Sequence, residues 1–172
     1  MKNITLIGMP GSGKSTIGVL LAKCLGYRFL DTDLLLQQEA GMLLPELLAT
    51  QGLDRFLALE EQVILGVRPR ETVVATGGSV VYGRKAMEHL RSQGTVVYLQ
   101  IPLEEIQRRV SNIATRGIAA APGRSLGDLY QEREPLYREH ADLVYAWRQE
   151  SLEESVARIL ELLGAPCGQR RP

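Results

Sequence analysis

The sequence lacks the patterns that mark several classes of protein. Its two cysteines and two histidines have no partner at the spacing of metal ligands, so we expect neither a disulfide framework nor a zinc site. No apolar run approaches the roughly 18 residues from which a membrane-spanning helix is inferred. The 20 basic and 20 acidic side chains cancel, which removes any general attraction to nucleic acid or an anionic membrane. These absences predict a cytoplasmic protein whose partner is neither nucleic acid nor a membrane.

What the sequence does contain is an alternation of short apolar runs with segments of helical spacing. A chain of 172 residues can bury its own core, and we expect one domain over residues 1–164 followed by a tail at 165–172. Alternating strands and helices favour right-handed crossovers and a parallel sheet with helices on both faces. The predicted strands are 2–7, 28–31, 71–75, 95–101 and 143–146, and the predicted helices are 15–25, 34–40, 43–50, 54–65, 84–93, 103–110, one from 125 through the region of 133, and 151–164.

Residues Gly8–Ser15 read GMPGSGKS and match the phosphate-binding loop G-x-x-x-x-G-K-[ST] without a gap. Phosphate oxygens need several N–H donors at once, and glycine can take the positive φ that turns backbone N–H groups inward. Lys14 is placed to reach the β and γ phosphates, and the Ser15 hydroxyl to bind Mg²⁺. A glycine-rich turn is the alternative, but a strand before the loop and a helix after it favour nucleotide binding. The predicted nucleotide ligands in this stretch are Gly11, Ser12, Gly13, Lys14, Ser15 and Thr16.

Two further polar stretches, Asp31–Asp33 and Thr76–Ser79, each follow a predicted strand directly. Ligands of parallel sheets gather beyond the carboxyl ends of the strands, so we expect both stretches to share one cleft with the phosphate loop. Asp33 is placed to hydrogen-bond an acceptor hydroxyl, and Asp31 to hold the magnesium ion through its water shell. Either aspartate could instead be a helix N-cap.

Arg133 is the next candidate, because on a helix it shares a face with Tyr130 and Tyr137. An arginine on such a partly apolar stripe either binds an anion or lies along the surface with its charged end in solvent. On the amino-terminal side of this helix, the run Ile118–Gly123 has no periodic pattern, which predicts a mobile loop.

With these segments in place, the chain resembles the shikimate kinase family over almost its whole length. The matching pieces are GMPGSGKSTIG (8–18), LDTD (30–33), ATGGSVV (75–81), VVYL (96–99) and EREPLYREHAD (132–142). The resemblance implies an α/β fold of the P-loop NTPase type, with a five-stranded parallel sheet ordered 2-3-1-4-5 and a mobile lid at about 112–124. It also implies a monomer that moves the γ-phosphoryl group of ATP to a hydroxyl of the small molecule shikimate, with Mg²⁺.

The resemblance further suggests roles for single residues. Asp33 resembles the residue that contacts the substrate hydroxyls, and Arg133 the arginine that binds the substrate carboxylate. Arg116 looks like the lid arginine that closes over the phosphates, and Arg109 like the residue near adenine. The remaining implied contacts are Gly77, Gly78 and Ser79 with the substrate and Arg148 with the nucleotide, whereas Trp147 could equally be a packed aromatic residue.

The departures from the family pattern concentrate at the acceptor side. A glutamate and a carboxylate-binding arginine of the pattern are replaced by Leu53 and Leu57, and its third glycine by Ser79. Arg55 does not simply substitute for the missing arginine, because residues two apart on a helix point to different faces. Around Arg116 the pattern Arg-Pro-Leu-Leu becomes Arg-Gly-Ile-Ala. Two alternatives therefore stay open, namely a kinase of this fold for another small hydroxy metabolite and a nucleotide-binding protein without transfer activity.

Overall fold

Five parallel strands lie at the centre of the computed structural model, which describes residues 2–110, 117–121 and 123–165. The strands are β1 Asn3–Ile7, β2 Arg28–Asp31, β3 Thr72–Ala75, β4 Gly94–Gln100 and β5 Leu143–Ala146. The helices are α1 Lys14–Leu25, α2 Thr32–Ala40, α3 Leu44–Gly66, α4 Arg84–Gln93, α5 Leu103–Arg109, α6 Leu126–His140 and α7 Leu152–Leu162, with a short 3₁₀ turn at Val80–Tyr82. No helix of the described ranges combines the length and apolar character that crossing a membrane requires.

The strand order β2-β3-β1-β4-β5 confirms the predicted doubly covered parallel sheet. β1 is the central strand, and all five of its residues are buried. Its alternate side chains enter different cores, as expected for a strand covered on both faces. Ile7 packs in the cluster that includes Met87 and Tyr137, and Leu6 packs in the cluster that includes Leu21 and Ile159. The sheet therefore holds the ends of its strands at one rigid edge.

Most predicted boundaries agree within two residues, and the differences have local causes. α2 begins at Thr32 rather than Leu34, because the Asp31 side chain accepts a hydrogen bond from the Asp33 N–H at 3.0 Å and caps the helix. The two helices predicted between residues 43 and 65 together make up α3, and they meet at a kink at Gly52, which has a non-helical φ of 77°. α7 ends at Leu162, shortly before the predicted end.

Serine capping boxes start the last two helices. The Ser125 side chain accepts from the Asp128 N–H while the Asp128 carboxylate accepts from the Ser125 N–H. Ser151 and Glu154 make the same reciprocal pair at the start of α7. Each box satisfies two N–H groups that have no partner inside the helix.

The close approach of β4 to β1 yields a test of packing at the sheet. A β-carbon added to Gly94 would lie against the Asn3 backbone, 2.6 Å from its carbonyl carbon. We expect Gly94→Ala to lower the free energy of unfolding by about 1–3 kcal/mol, because backbone of a central strand cannot move aside cheaply. Urea denaturation measures this loss.

Gly66→Ala is the matched control, since nothing lies within 4 Å of its added β-carbon at the end of α3. That variant should keep or slightly raise the stability, because alanine favours helix more than glycine does. Equal losses in both variants would contradict the steric explanation for Gly94.

Candidate active site

The phosphate loop leaves β1 and enters α1 with the backbone conformation that its glycines predict. Gly8, Gly11 and Gly13 have φ values of 145°, 82° and 91°, which residues with a β-carbon rarely adopt. A β-carbon on Gly11 would also overlap the Val110 side chain. The loop thus ends at the amino terminus of α1, where N–H groups without helical partners and the helix dipole favour an anion.

Lys14 is the buried cation of this loop. Its Nζ donates to the carbonyl oxygens of Gly8 and Met9, each at 2.8 Å. Burial lowers the pKa of Lys14 to about 8, against the opposing effects of Asp33 and Asp31. The ammonium group is therefore held in place before any ligand binds, and a phosphate would restore the charged form by its own negative charge.

Ser15 and Asp31 lie together at the edge of the sheet. The Ser15 Oγ donates to the Asp31 Oδ2 at 2.7 Å, and the other carboxylate oxygen caps α2. A hydroxyl and one carboxylate suit Mg²⁺, which is usually held by one or two protein carboxylates together with substrate phosphates. The described residues contain no cluster of three or more acidic, His or Cys side chains that could hold a metal without such phosphates.

One cavity of about 530 Å³ extends from the phosphate loop in two directions along the carboxyl edge of the sheet. The residues that line one end are Ile101, Arg109, Trp147, Glu150, Leu152 and Ser155. The residues that line the other end are Asp33, Phe56, Gly77, Gly78, Ser79 and Arg133. The sequence predicted this convergence of segments, and the fold brings them to one cleft. We call the two ends the nucleobase end and the acceptor end.

At the nucleobase end, Arg109 lies over the Trp147 ring, with its guanidinium carbon 5.0 Å from the ring centroid. Glu105 accepts a hydrogen bond from the Arg109 Nε at 2.6 Å and fixes its direction. Trp147 packs against the cluster that includes Met87 and Tyr137 and also borders the cavity. Its contact with adenine stays a prediction. Arg148 is exposed and does not border the cavity, so its predicted contact with the nucleotide has no geometric support.

Arg133 is 1% exposed, which excludes the surface position that the sequence left open. Its Nε donates to the Tyr82 hydroxyl at 3.0 Å, and its Nη2 donates to the Ala119 carbonyl. Its Nη1 lies beside Gly78 and has no hydrogen-bond partner within the described ranges. A buried donor without a partner costs free energy, so this nitrogen marks a place for an anionic group of a ligand.

Two carboxyl groups, those of Asp33 and Glu60, face each other across Gly77. A β-carbon on Gly77 would lie 2.9 Å from the Asp33 Oδ1 and would overlap the Glu60 Oε1. Burial is the main cause that raises the pKa of Asp33, and it raises the pKa of Glu60 to about 7. Glycine is required here because two side chains from other elements occupy the space of its β-carbon.

Ser79 borders the cavity, but its hydroxyl contacts Glu60. The Ser79 Oγ donates to the Glu60 Oε2 at 2.7 Å, whereas the Glu60 Oε1 has no partner in the described part of the chain. The sequence identified Ser79 as an added side chain beside the substrate, and the fold directs its hydroxyl towards α3.

The apolar substitutions of α3 lie away from the acceptor end. Leu57 borders a second, smaller cavity of about 320 Å³ together with Glu60, Val80 and Tyr82. Leu53 and Leu57 both pack against the cluster that includes Phe56. Arg55 is exposed, so it does not take the place of an acceptor-binding arginine, as its spacing predicted.

Arg116 and most of the predicted lid at 112–124 fall outside the described residues. Of the described neighbours, Ile118 and Ala119 are buried and border the cavity at 8% and 4% exposure. Ala119 also supplies the carbonyl that holds Arg133. This end of the segment therefore contacts the acceptor end of the cavity.

Sequence reasoning missed two groups that shape the acceptor end, the Tyr82 hydroxyl and the free carboxylate oxygen of Glu60. Tyr82 is the last residue of the 3₁₀ turn and meets Arg133 across 51 positions of sequence, a separation at which no pattern signals contact. No motif of the sequence assigned a role to Glu60. A buried acid in an otherwise apolar face of α3 was the one available signal.

The raised pKa of Glu60 predicts a pH dependence of stability. Its folded pKa of about 7 exceeds the ordinary 4.5, so between these values the folded state binds more protons and the protein loses stability as the pH rises. Glu60→Gln cannot ionise, and its stability relative to wild type should increase from pH 4.5 to 7 and then level off. The gain is at most about 3 kcal/mol.

Denaturant melts of both proteins at several pH values measure the difference. Glu39→Gln, an exposed change on α2, controls for the loss of one negative charge. A difference between Glu60→Gln and wild type that stays flat over this window would contradict a raised pKa.

Comparison with known proteins agrees with this geometry. Residues 10–164 match the family model described as shikimate kinase. The shikimate kinase of Synechococcus sp. (strain RCC307) is 41% identical over 165 residues, covering 94% of this chain and 84% of that protein. That of Paracidovorax citrulli is 40% identical over 171 residues, covering 94% and 93%.

Solved structures give the same result. A shikimate kinase from Acinetobacter baumannii in complex with shikimate superposes with a TM-score of 0.86 at 33% identity, covering 95% of this chain and 93% of the other. The shikimate kinase of Aquifex aeolicus gives 0.80 at 31% identity, covering 94% and 96%. On its motifs, its fold and these matches, the chain belongs to the shikimate kinase family.

Proposed function

We propose that this protein transfers the γ-phosphoryl group of ATP to a hydroxyl of shikimate. The observation that carries the proposal is one cavity that joins a phosphate loop to the buried Arg133, whose Nη1 has no partner among the described residues. The acceptor is thus expected to be a hydroxylated anion. The Acinetobacter baumannii relative, solved in complex with shikimate, supports the choice of that acid.

The nucleotide binds through the phosphate loop and the nucleobase end of the cavity. Backbone N–H groups of the loop and the Lys14 ammonium hold the phosphates, and Arg109 lies where it can stack on the base beside Trp147. Ser15 and Asp31 would hold Mg²⁺, which neutralises charge on the β and γ phosphates when it is bound. Catalysis in such a site depends mainly on positioning and fixed charge.

The acceptor binds between Asp33 and Arg133. Two nitrogens of the Arg133 guanidinium are fixed by Tyr82 and Ala119, so Nη1 is held in a set direction for the acceptor carboxylate. Asp33 accepts a hydrogen bond from the acceptor hydroxyl and orients its oxygen for attack. Burial raises the Asp33 pKa, which makes its carboxylate a better acceptor of the proton that the hydroxyl loses.

Several finer assignments belong to the same proposal. Arg116 steadies the transferring phosphoryl group from a lid at 112–124, and Gly77, Gly78 and Ser79 line the acceptor's position. The single domain over 1–164, the tail at 165–172, the cytoplasmic location and the monomeric state remain predictions. They follow from the sequence and the family resemblance.

A kinase of this fold for another small hydroxy acid is the second candidate. One observation favours it: within the described residues, Arg133 is the one arginine that borders the acceptor end. Leu57 instead borders the second cavity, together with Glu60. A panel of hydroxy acids and polyols, followed by ADP release, separates the candidates. Turnover of shikimate at a kcat/KM well below that of another acid would favour the second candidate.

Loss of the Lys14 charge should abolish phosphoryl transfer. We expect Lys14→Met to lower kcat by about 10³-fold or more, because the transferring group loses a charge fixed before the reaction begins. ADP release with shikimate as acceptor measures this effect.

Lys23→Met is the matched control, because Lys23 is exposed at the far end of the same helix and should keep near-normal turnover. An active wild type with an equally active Lys14→Met would remove the loop from the mechanism. A wild type that binds ATP but releases no ADP with shikimate would overturn the proposed reaction.

Loss of the Arg133 charge should act on the acceptor and not on the nucleotide. Arg133→Met should raise the shikimate KM at least about tenfold, as expected for a charge-assisted hydrogen bond, while the ATP KM changes less than about twofold. Steady-state kinetics with each substrate varied in turn measure both values.

Arg138→Met removes an exposed arginine from the same helix, where it pairs with Glu134, and serves as the control. Circular dichroism checks that Arg133→Met is folded. A folded Arg133→Met with an unchanged shikimate KM would show that the acceptor anion binds elsewhere.

A further inference from the structure

Two buried groups of opposite charge lie against adjacent glycines of the loop that follows β3. Glu60 and Arg133 are 5% and 1% exposed, and no ion pair joins them in the described ranges. The Glu60 Oε1 lies against Gly77, and the Arg133 Nη1 lies 3.3 Å from the β-carbon position of the next residue, Gly78. Neither atom has a hydrogen-bond partner in the part of the chain that the structure describes. In a medium of low dielectric constant such groups attract each other strongly.

A hydrogen bond from Ser79 opposes that attraction. Its Oγ donates to the Glu60 Oε2 at 2.7 Å and directs the carboxylate towards its own side of the loop. Ser79 itself is 3% exposed and begins the 3₁₀ turn, where its carbonyl accepts from the Tyr82 N–H at 3.0 Å. A fixed backbone therefore carries the hydroxyl. The Tyr82 side chain from the same turn holds the Arg133 Nε, so one turn restrains both charges.

We propose that Ser79 is a positioning residue of the acceptor site: its hydroxyl holds the Glu60 carboxylate apart from Arg133 and so keeps Nη1 available for the acceptor anion. Without the hydroxyl, Glu60 turns onto Arg133 and occupies the site as an internal competitor. The role of Nη1 in this inference rests on the proposed function, but the movement of Glu60 does not.

The charges around Glu60 make the movement measurable as a change of pKa. Burial is the largest influence on it, the Ser79 hydrogen bond lowers it, Asp33 raises it, and Arg133 and Lys14 lower it. These groups come from α1, α2, α6 and the loop after β3. Loss of the hydrogen bond alone would raise the Glu60 pKa above its value of about 7. An ion pair formed with Arg133 would lower it, since an opposite charge at contact lowers a carboxyl pKa by about one to three pH units.

The sign of the pKa change in Ser79→Ala therefore tests the inference on the ligand-free protein. Carbon-13 NMR of the glutamate carboxyl groups follows the titration, and Glu60→Gln identifies the signal. We expect the Glu60 pKa to fall by about one pH unit or more in Ser79→Ala. A pKa that rises or stays the same overturns the proposal, whatever substrate the enzyme uses.

Kinetics at pH 8, where Glu60 is mainly ionised, supply the second measurement. Ser79→Ala should raise the shikimate KM about tenfold or more and change the ATP KM less than about twofold, as expected for loss of one charge-assisted contact. In a Glu60→Gln background the same substitution should change the shikimate KM by less than about threefold, because a neutral amide competes weakly for Arg133. An equal effect in both backgrounds overturns the proposal.

Thr72→Val is the matched control, since it also removes a buried hydroxyl, one that donates to the Arg70 carbonyl at the opposite end of β3. Thr72→Val should leave the Glu60 pKa and the shikimate KM unchanged. If Ser79→Ala fails to fold, Ser79→Cys replaces it, because the thiol keeps the volume and donates weakly. A wild type inactive on shikimate, together with a lowered Glu60 pKa in Ser79→Ala, would refute the substrate and keep the role of Ser79.

Discussion

Burial of charge at the carboxyl edge of the sheet is the constraint on which the rest of this site depends. Lys14 and Arg133 are buried along one cavity that Asp33 also borders, and Glu60 is buried against Gly77. Each would be costly there without partners, and the chain supplies only part of what each needs. Carbonyl oxygens hold Lys14, and a tyrosine and a carbonyl hold Arg133. Among the described residues the Arg133 Nη1 lacks a partner, and the anionic acceptor of the proposed function would supply one.

Small residues let these charges come together. Gly77 and Gly78 have no β-carbon, and the space that each would fill belongs to Glu60, Asp33, Pro10 or Arg133. Gly11 and Gly13 give the phosphate loop its positive φ values by the same absence. The two pairs of glycines thus serve different needs. Gly11 and Gly13 allow a backbone conformation, whereas Gly77 and Gly78 allow a close approach between elements.

The departures from the family pattern acquire a common physical explanation in the folded protein. The hydroxyl of Ser79 gives Glu60 a hydrogen-bond donor, and Leu57 on the preceding turn of α3 offers none. A buried carboxyl group without any donor would be neutral or would turn to the nearest cation. Serine at 79 therefore suits a protein that has leucine at 57. This dependence ties residues of α3 and of the loop after β3 into one unit.

The sequence by itself determined the fold, the phosphate loop and the position of Arg133 on an apolar helical face. The α/β class, the loop conformation and the helical face of Arg133 follow from local rules, because strand and helix periodicity and glycine conformation depend on residues near in sequence, whereas the order of the strands was implied by the family resemblance. Only the tertiary structure decided that Arg133 is fully buried, that its Nη1 has no partner among the described residues, and that Ser79 faces Glu60. Those outcomes depend on side chains that meet across 19 and 51 positions of sequence. Which polar atoms are satisfied, and which are left for a ligand, is settled by those distant neighbours and has no local pattern.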